Sequence, residues 1–131
     1  MKNIYVYMRR VASSKVFFSR NDVKTNHVLE VYDEHLINHY ALDCELEMTE
    51  WLGGVMIVTN VEDIDAEGIR TIDDFFDRLE SAESTSVRPV VWHISCLNVK
   101  TMELSDRSKI TRVVSHGSVS FSVSGVSLQT S

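Results

Sequence analysis

The sequence predicts an α+β domain: an antiparallel or mixed sheet of about five to six strands with two main helices packed on one face. Three observations lead there. Short β-branched and aromatic runs lie towards both ends of the chain, two stretches carry apolar residues at helical spacing, and a Gly53-Gly54 break precedes the unbroken apolar run VMIVT. With 131 residues, 44% apolar and 24% charged, one proline and five glycines, residues 1–131 have the size and composition of a single globular domain.

Taken in order, Ile4 to Met8 and Lys15 to Ser19 are two β-rich runs, and Ala12-Ser13-Ser14 between them predicts a hairpin turn. In TNHVLEVYDEHLINHYAL, Leu29, Tyr32, Leu36 and Tyr40 recur at helical spacing with Glu30, Glu34 and Asn38 opposite, which predicts a helix capped by Thr25 or Asn26. A competing reading takes HVLEVY as a strand and starts the helix later. Cys44, Leu46 and Met48 alternate with Glu45 and Glu47, as in a half-buried strand, although ELEMTEWL also fits a short helix. Val55 to Thr59 reads as a strand covered on both faces. Thr71 is placed to cap a helix running to about Ala82, with Asp73 and Asp74 in its first turn and Ile72, Phe75, Phe76 and Leu79 on its apolar face. A polar loop over 81–86 then leads into the strand-like PVVWHISCLNV. Residues 107–114 and 118–128 predict two more strands turning at His116-Gly117, with the Val/Phe-Ser alternation of the second shifting phase at Gly125.

Net charge is −6, and its distribution is segregated. Residues 30–83 hold 16 acidic side chains against Arg70 and Arg78, whereas 1–24 and 88–131 are net basic. Such a band repels nucleic-acid phosphate and attracts basic surfaces, including those with which other proteins hold DNA or RNA. Two cysteines far apart, Cys44 and Cys96, fit free thiols in a reducing compartment and suit small core positions. No apolar run reaches the roughly 18 residues that span a bilayer, and the arginines of MKNIYVYMRRV follow its apolar stretch rather than precede it. A cytoplasmic protein with no membrane association is the expectation.

Three motifs carry candidate chemistry. DIDAEGIRTIDD places Asp63, Asp65, Glu67 and Asp74 where a calcium loop needs oxygen ligands, with Gly68 at its turn. It departs from that pattern in the Glu at the fifth position, Arg70 at the eighth and the short Asp74 at the twelfth, and a β-branched run stands where the entering helix should be. The plain alternative is a strand-to-helix connection with carboxylates near a helix N-terminus. In EHLINHY, His35 and His39 stand four apart, so on a helix they would share a side and chelate zinc, but Leu36 holds the place of the catalytic glutamate of His-Glu-x-x-His enzymes. The plain alternative is a pair of polar residues bordering an apolar stripe. His93 and Cys96 fall on opposite faces of a predicted strand, which weakens a joint role. No glycine-rich phosphate cradle, Walker lysine or G-x-S-x-G elbow is present, and no cofactor is expected.

The acidic band itself is the remaining feature. Asp73, Asp77 and Glu80 form a stripe on the predicted second helix, and Glu45, Glu47, Glu62, Asp63, Asp65, Glu67 and Asp74 extend it. A solvated face would explain part of this, but 16 acids to two bases exceed what solubility requires. The expectation is a non-catalytic binding protein whose acidic helical face docks on a basic protein surface, such as that of a nucleic-acid-binding protein. It would act as an inhibitor that imitates nucleic-acid charge, of the kind viruses and mobile elements make. Direct nucleic-acid binding is not expected. Two alternatives stand beside this one: a self-assembling structural or accessory homo-oligomer, and a metal-dependent hydrolase using His35 and His39.

Overall fold

A computed structural model describes residues 8–43, 49–84, 86–115 and 118–121. Eight strands form one mixed sheet: β1 (Met8–Ser19), β2 (Asp22–Tyr32), β3 (His35–Ala41), β4 (Thr49–Trp51), β5 (Val55–Thr59), β6 (Val90–Ser95), β7 (Lys109–Val113) and β8 (Ser118–Phe121). Their order is β3-β2-β1-β5-β6-β7-β8, with β4 also paired to β1. The helix α1 (Ile72–Ser81) is the only one among the described residues. The expectation of two helices packed on a sheet is therefore overturned: the described residues are mostly strand, with one helix among them.

The overturned helix is the hairpin of β2 and β3, joined by a tight turn at Asp33-Glu34 with Asp33 at φ +60°. The competing reading of HVLEVY as strand was right in its first half, and no helix follows it among the described residues up to Asp43. The helical spacing of Leu29, Tyr32, Leu36 and Tyr40 misleads because His27 through Val31 are all buried. A strand covered on both faces loses its two-residue alternation, and with it the signal that separates strand from helix. The expected turn at Ala12-Ser14 is also absent, because β1 runs straight through it for 12 residues. Buried Ser13 has a different task. Between β4 and β5 the chain carries one residue more than the facing stretch of β1, and the Ser13 hydroxyl lies 2.8 and 3.2 Å from the Leu52 and Gly54 carbonyl oxygens at that irregularity.

The run VMIVT forms β5, antiparallel to β6 and parallel to β1, and its side chains serve two cores. Val55 and Ile57 join Val90, Trp92, Ile94 and Ile110 beneath α1 and the 61–69 segment. Met56 and Val58 join Val91 and Val113 on the other face, where Val11, Val16, Leu29 and Val31 cover them. That second covering requires the sheet to curl. The β2–β3 turn meets the far side of the molecule, with the Leu36 N–H donating to the Pro89 carbonyl (2.9 Å) and the Ser115 N–H to that of Asp33 (2.8 Å).

The expected strand after residue 89 ends at Ser95, and Cys96 follows it exposed at φ +57° rather than in the core. The strands expected after residue 106 are β7 and β8. Ile4 to Tyr7, the Cys44 to Met48 segment, the His116-Gly117 turn and the phase shift at Gly125 lie outside the described residues. No helix among the described residues is long and apolar enough to cross a membrane.

Candidate functional site

Helix α1 begins with a complete capping box. The Thr71 hydroxyl accepts from the Asp74 N–H (3.1 Å), and the Asp74 carboxylate accepts from the N–H groups of Thr71 (3.2 Å) and Arg70 (2.9 Å). Ile72, Phe75 and Phe76 are buried against the sheet, which turns Asp73, Asp77 and Glu80 outward with side chains 73, 69 and 64% exposed. These three carboxylates converge on one guanidinium. Arg20, in the two-residue turn joining β1 and β2, donates to Asp77 (2.7 Å), to Glu80 through two nitrogens (3.1 and 3.2 Å) and to Asp73. Its guanidinium carbon lies 5.5 Å from the Phe76 ring centroid. The hydrogen bonds it donates, to Asp77 foremost, then to Glu80 and Asp73, outweigh desolvation and raise its pKa further.

The segment before α1 owes its acidic pattern to packing. Val61, Ile64, Ala66 and Ile69 are buried, so Asp63, Asp65 and Glu67 between them face solvent. The Asp65 carboxylate accepts from the Glu67 N–H (3.0 Å), and Gly68 adopts φ +84°. Arg78 does not reach Asp74, as helical spacing would suggest; its guanidinium donates to the carbonyl oxygens of Asp65 and Glu67 (2.7 Å for the latter). DIDAEGIRTIDD is thus a strap that anchors apolar side chains every two or three residues, with an arginine on its carbonyls and Asp74 engaged as a cap.

Beside α1 lies an open cleft of about 460 Å³. It forms where the C-terminal ends of the parallel strands β1 and β5 part after Phe17 and Ile57. Phe18, Val58, Val61, Phe76, Leu79 and Pro89 supply its apolar lining, and Arg20, Glu80, Asn60 and Ser84 supply polar groups. Strand C-termini next to a helix are a recurrent location for ligand sites in sheet proteins.

Elsewhere three acids of the band are matched by arginines within the molecule. Arg9 pairs with Glu50 (2.8 Å), Arg10 with Glu30 (2.9 Å) and Arg112 with Glu34 (3.3 Å), each joining a basic terminal block to the acidic middle. Glu30, on the expected solvent face of a helix, is instead buried mid-sheet, where Tyr40 (2.7 Å), Arg10 (2.9 Å) and Asn38 (3.3 Å) donate to it. Burial alone would raise its pKa, but these hydrogen bonds prevail and lower it. Glu45 and Glu47 lie outside the described residues, and Glu62 is half-buried.

The two histidines expected to share a helix side are separated on β3. His35 Nε2 lies 3.3 Å from the Ser86 hydroxyl, and His39 Nδ1 lies 2.9 Å from Nε2 of His27 on β2. Phe18 packs on both rings of the His27–His39 pair, and burial lowers the His27 pKa, helped by His39 and Lys24. Among the described residues, no three His, Cys, Asp or Glu side chains are grouped to hold a metal ion. Sequence reasoning missed Arg20 and His27, whose roles depend on partners 53 and 12 residues away. The only local hint was a lone arginine in the RND turn ahead of an acidic chain.

The chain matches no protein-family model, and it has no significant match among curated proteins or solved structures.

Proposed function

We propose that the protein is a non-catalytic binding protein whose acidic face, built from α1 and the strap before it, docks on a basic surface of another macromolecule. A nucleic-acid-binding protein suits this role, since the face would occupy the surface with which it holds phosphates. The observation that carries the reading is the convergence of Asp73, Asp77 and Glu80 on one guanidinium while each side chain stays more than 60% exposed. Three carboxylates around one cation leave a local excess of negative charge, and Asp63, Asp65 and Glu67 on the strap before the helix are exposed as well. Glu30, Glu34 and Glu50 are already paired with arginines, so the docking face is smaller than the whole 30–83 stretch.

Partner capture on the immobilised protein over a salt series tests this. Binding should weaken steeply as salt rises and should be lost in Asp73→Asn/Asp77→Asn/Glu80→Gln. Partner retention that ignores both salt and the triple substitution overturns the reading.

A further inference from the structure

The acidic face adjoins a feature that a purely electrostatic dock would not need, the apolar cleft at the parted ends of β1 and β5. Glu80 and Arg20 belong both to the carboxylate cluster and to the cleft lining, so the two are contiguous. At about 460 Å³ the cleft has room for a large side chain, and Phe18, Val58, Val61, Phe76 and Leu79 would surround it with apolar surface. A ligand that fills both features carries an apolar group and a cation side by side.

The cation can be specified further. Arg20 approaches from a hairpin tip, bonds all three carboxylates through Nε, Nη1 and Nη2, and lies against Phe76. A planar fork with several donors satisfies that arrangement, and an ammonium, with a compact charge and no flat face, does not. Building on the docking role proposed above, we infer that the cleft receives a partner segment in which an arginine is flanked by a bulky apolar residue. The apolar side chain enters the cleft, and the partner's guanidinium replaces that of Arg20 on Asp73, Asp77 and Glu80. Arg20 is then an internal stand-in for the ligand, released by rotation of one side chain in a two-residue turn.

The probes are the N-acetylated dipeptide amides Phe-Arg, Phe-Lys, Phe-citrulline and Ala-Arg, titrated into the ¹⁵N-labelled full chain. Phe-Arg should shift the amides of Val61, Leu79 and Ala82 and bind severalfold more tightly than Phe-Lys or Ala-Arg, and Phe-citrulline should not bind. Arg20→Ala should tighten Phe-Arg binding severalfold by removing the competitor, while Ala82→Phe, at a residue that also lines the cleft, narrows it with every carboxylate in place and should weaken binding. Unchanged or weaker Phe-Arg binding in an Arg20→Ala protein that melts cooperatively overturns the exchange. Equal binding of Ala-Arg and Phe-Arg overturns the role of the cleft. If no dipeptide binds while partner capture still depends on salt and on the three carboxylates, this inference fails and the docking role stands. If capture fails as well, both fall.

Discussion

Gly54 is the position at which a single atom decides the most. Its backbone sits at φ +78°, and a Cβ there would stand 2.0 Å from the Ile94 carbonyl oxygen on the adjacent strand. A left-handed residue can be strained by a side chain, but here the side chain would also collide with backbone that β5 and β6 hold in register. Gly54→Ala should cost on the order of 3 kcal/mol, read as a lower urea midpoint. A loss below about 1 kcal/mol would mean that the β4–β5 irregularity rearranges freely. Gly53, where an added Cβ would meet open space, is not subject to this constraint. From sequence the Gly-Gly pair marked a break in the chain, and which glycine was indispensable depended on β6, some 40 residues on.

At the scale of elements, α1 was legible from end to end and the β2–β3 hairpin was not, for a physical reason that distinguishes them. The start of α1 is specified by groups three residues apart: Thr71 and Asp74 satisfy each other's backbone N–H groups, an exchange that needs no distant partner. Thr71→Ala removes half of that exchange and should destabilise the protein by about 1 kcal/mol, with Thr71→Ser recovering most of it in the same urea titration. If Thr71→Ala proves neutral, packing of Phe75 and Phe76 alone sustains the helix. In β2, by contrast, Val28, Leu29, Glu30 and Val31 are buried on both faces, so the two-residue alternation that would separate it from an amphipathic helix is lost. The hydrogen bonds of Glu30 to Arg10 and Tyr40 lie on neighbouring strands. The β-branched residues Val23, Thr25, Val28, Val31 and Ile37, and Asp33 at the tight turn, were the signals that pointed correctly.

For the whole molecule, titratable groups on several elements link stability to pH in two steps. Burial, partly offset by a hydrogen bond to the Gly53 carbonyl, lowers the His93 pKa, and burial lowers that of His27. The unfolded chain therefore takes up protons first, and stability should fall as pH drops below about 6.5 and until both folded-state values are passed. Glu30 and Glu50 are lowered as well, Glu50 by its bond to Arg9, so a second loss should begin below about pH 4.5. Urea midpoints from pH 8 to 3 should show both limbs. Glu30→Gln should lose about 2 kcal/mol at pH 7 and flatten the lower limb. A midpoint unchanged from pH 8 to 5 would contradict the histidine limb, and an equally steep acid limb in Glu30→Gln would contradict the carboxylate one.

By itself the sequence determined the covered strand β5, the capped helix α1 and the existence of an acidic middle between basic ends. All of these rest on composition or on interactions a few residues apart. Tertiary structure alone decided that β2 and β3 are strands, that Glu30 and Glu34 are bound by arginines from the two ends of the chain, and that Asp73, Asp77 and Glu80 converge on Arg20 beside an apolar cleft. Charge is additive along a sequence, whereas its neutralisation depends on distance in space. Pairing of β1 with β2 and β4 brings Arg10 to Glu30 and Arg9 to Glu50, and the curl of the sheet, which closes the β2–β3 turn against the ends of β6 and β7, brings Arg112 to Glu34.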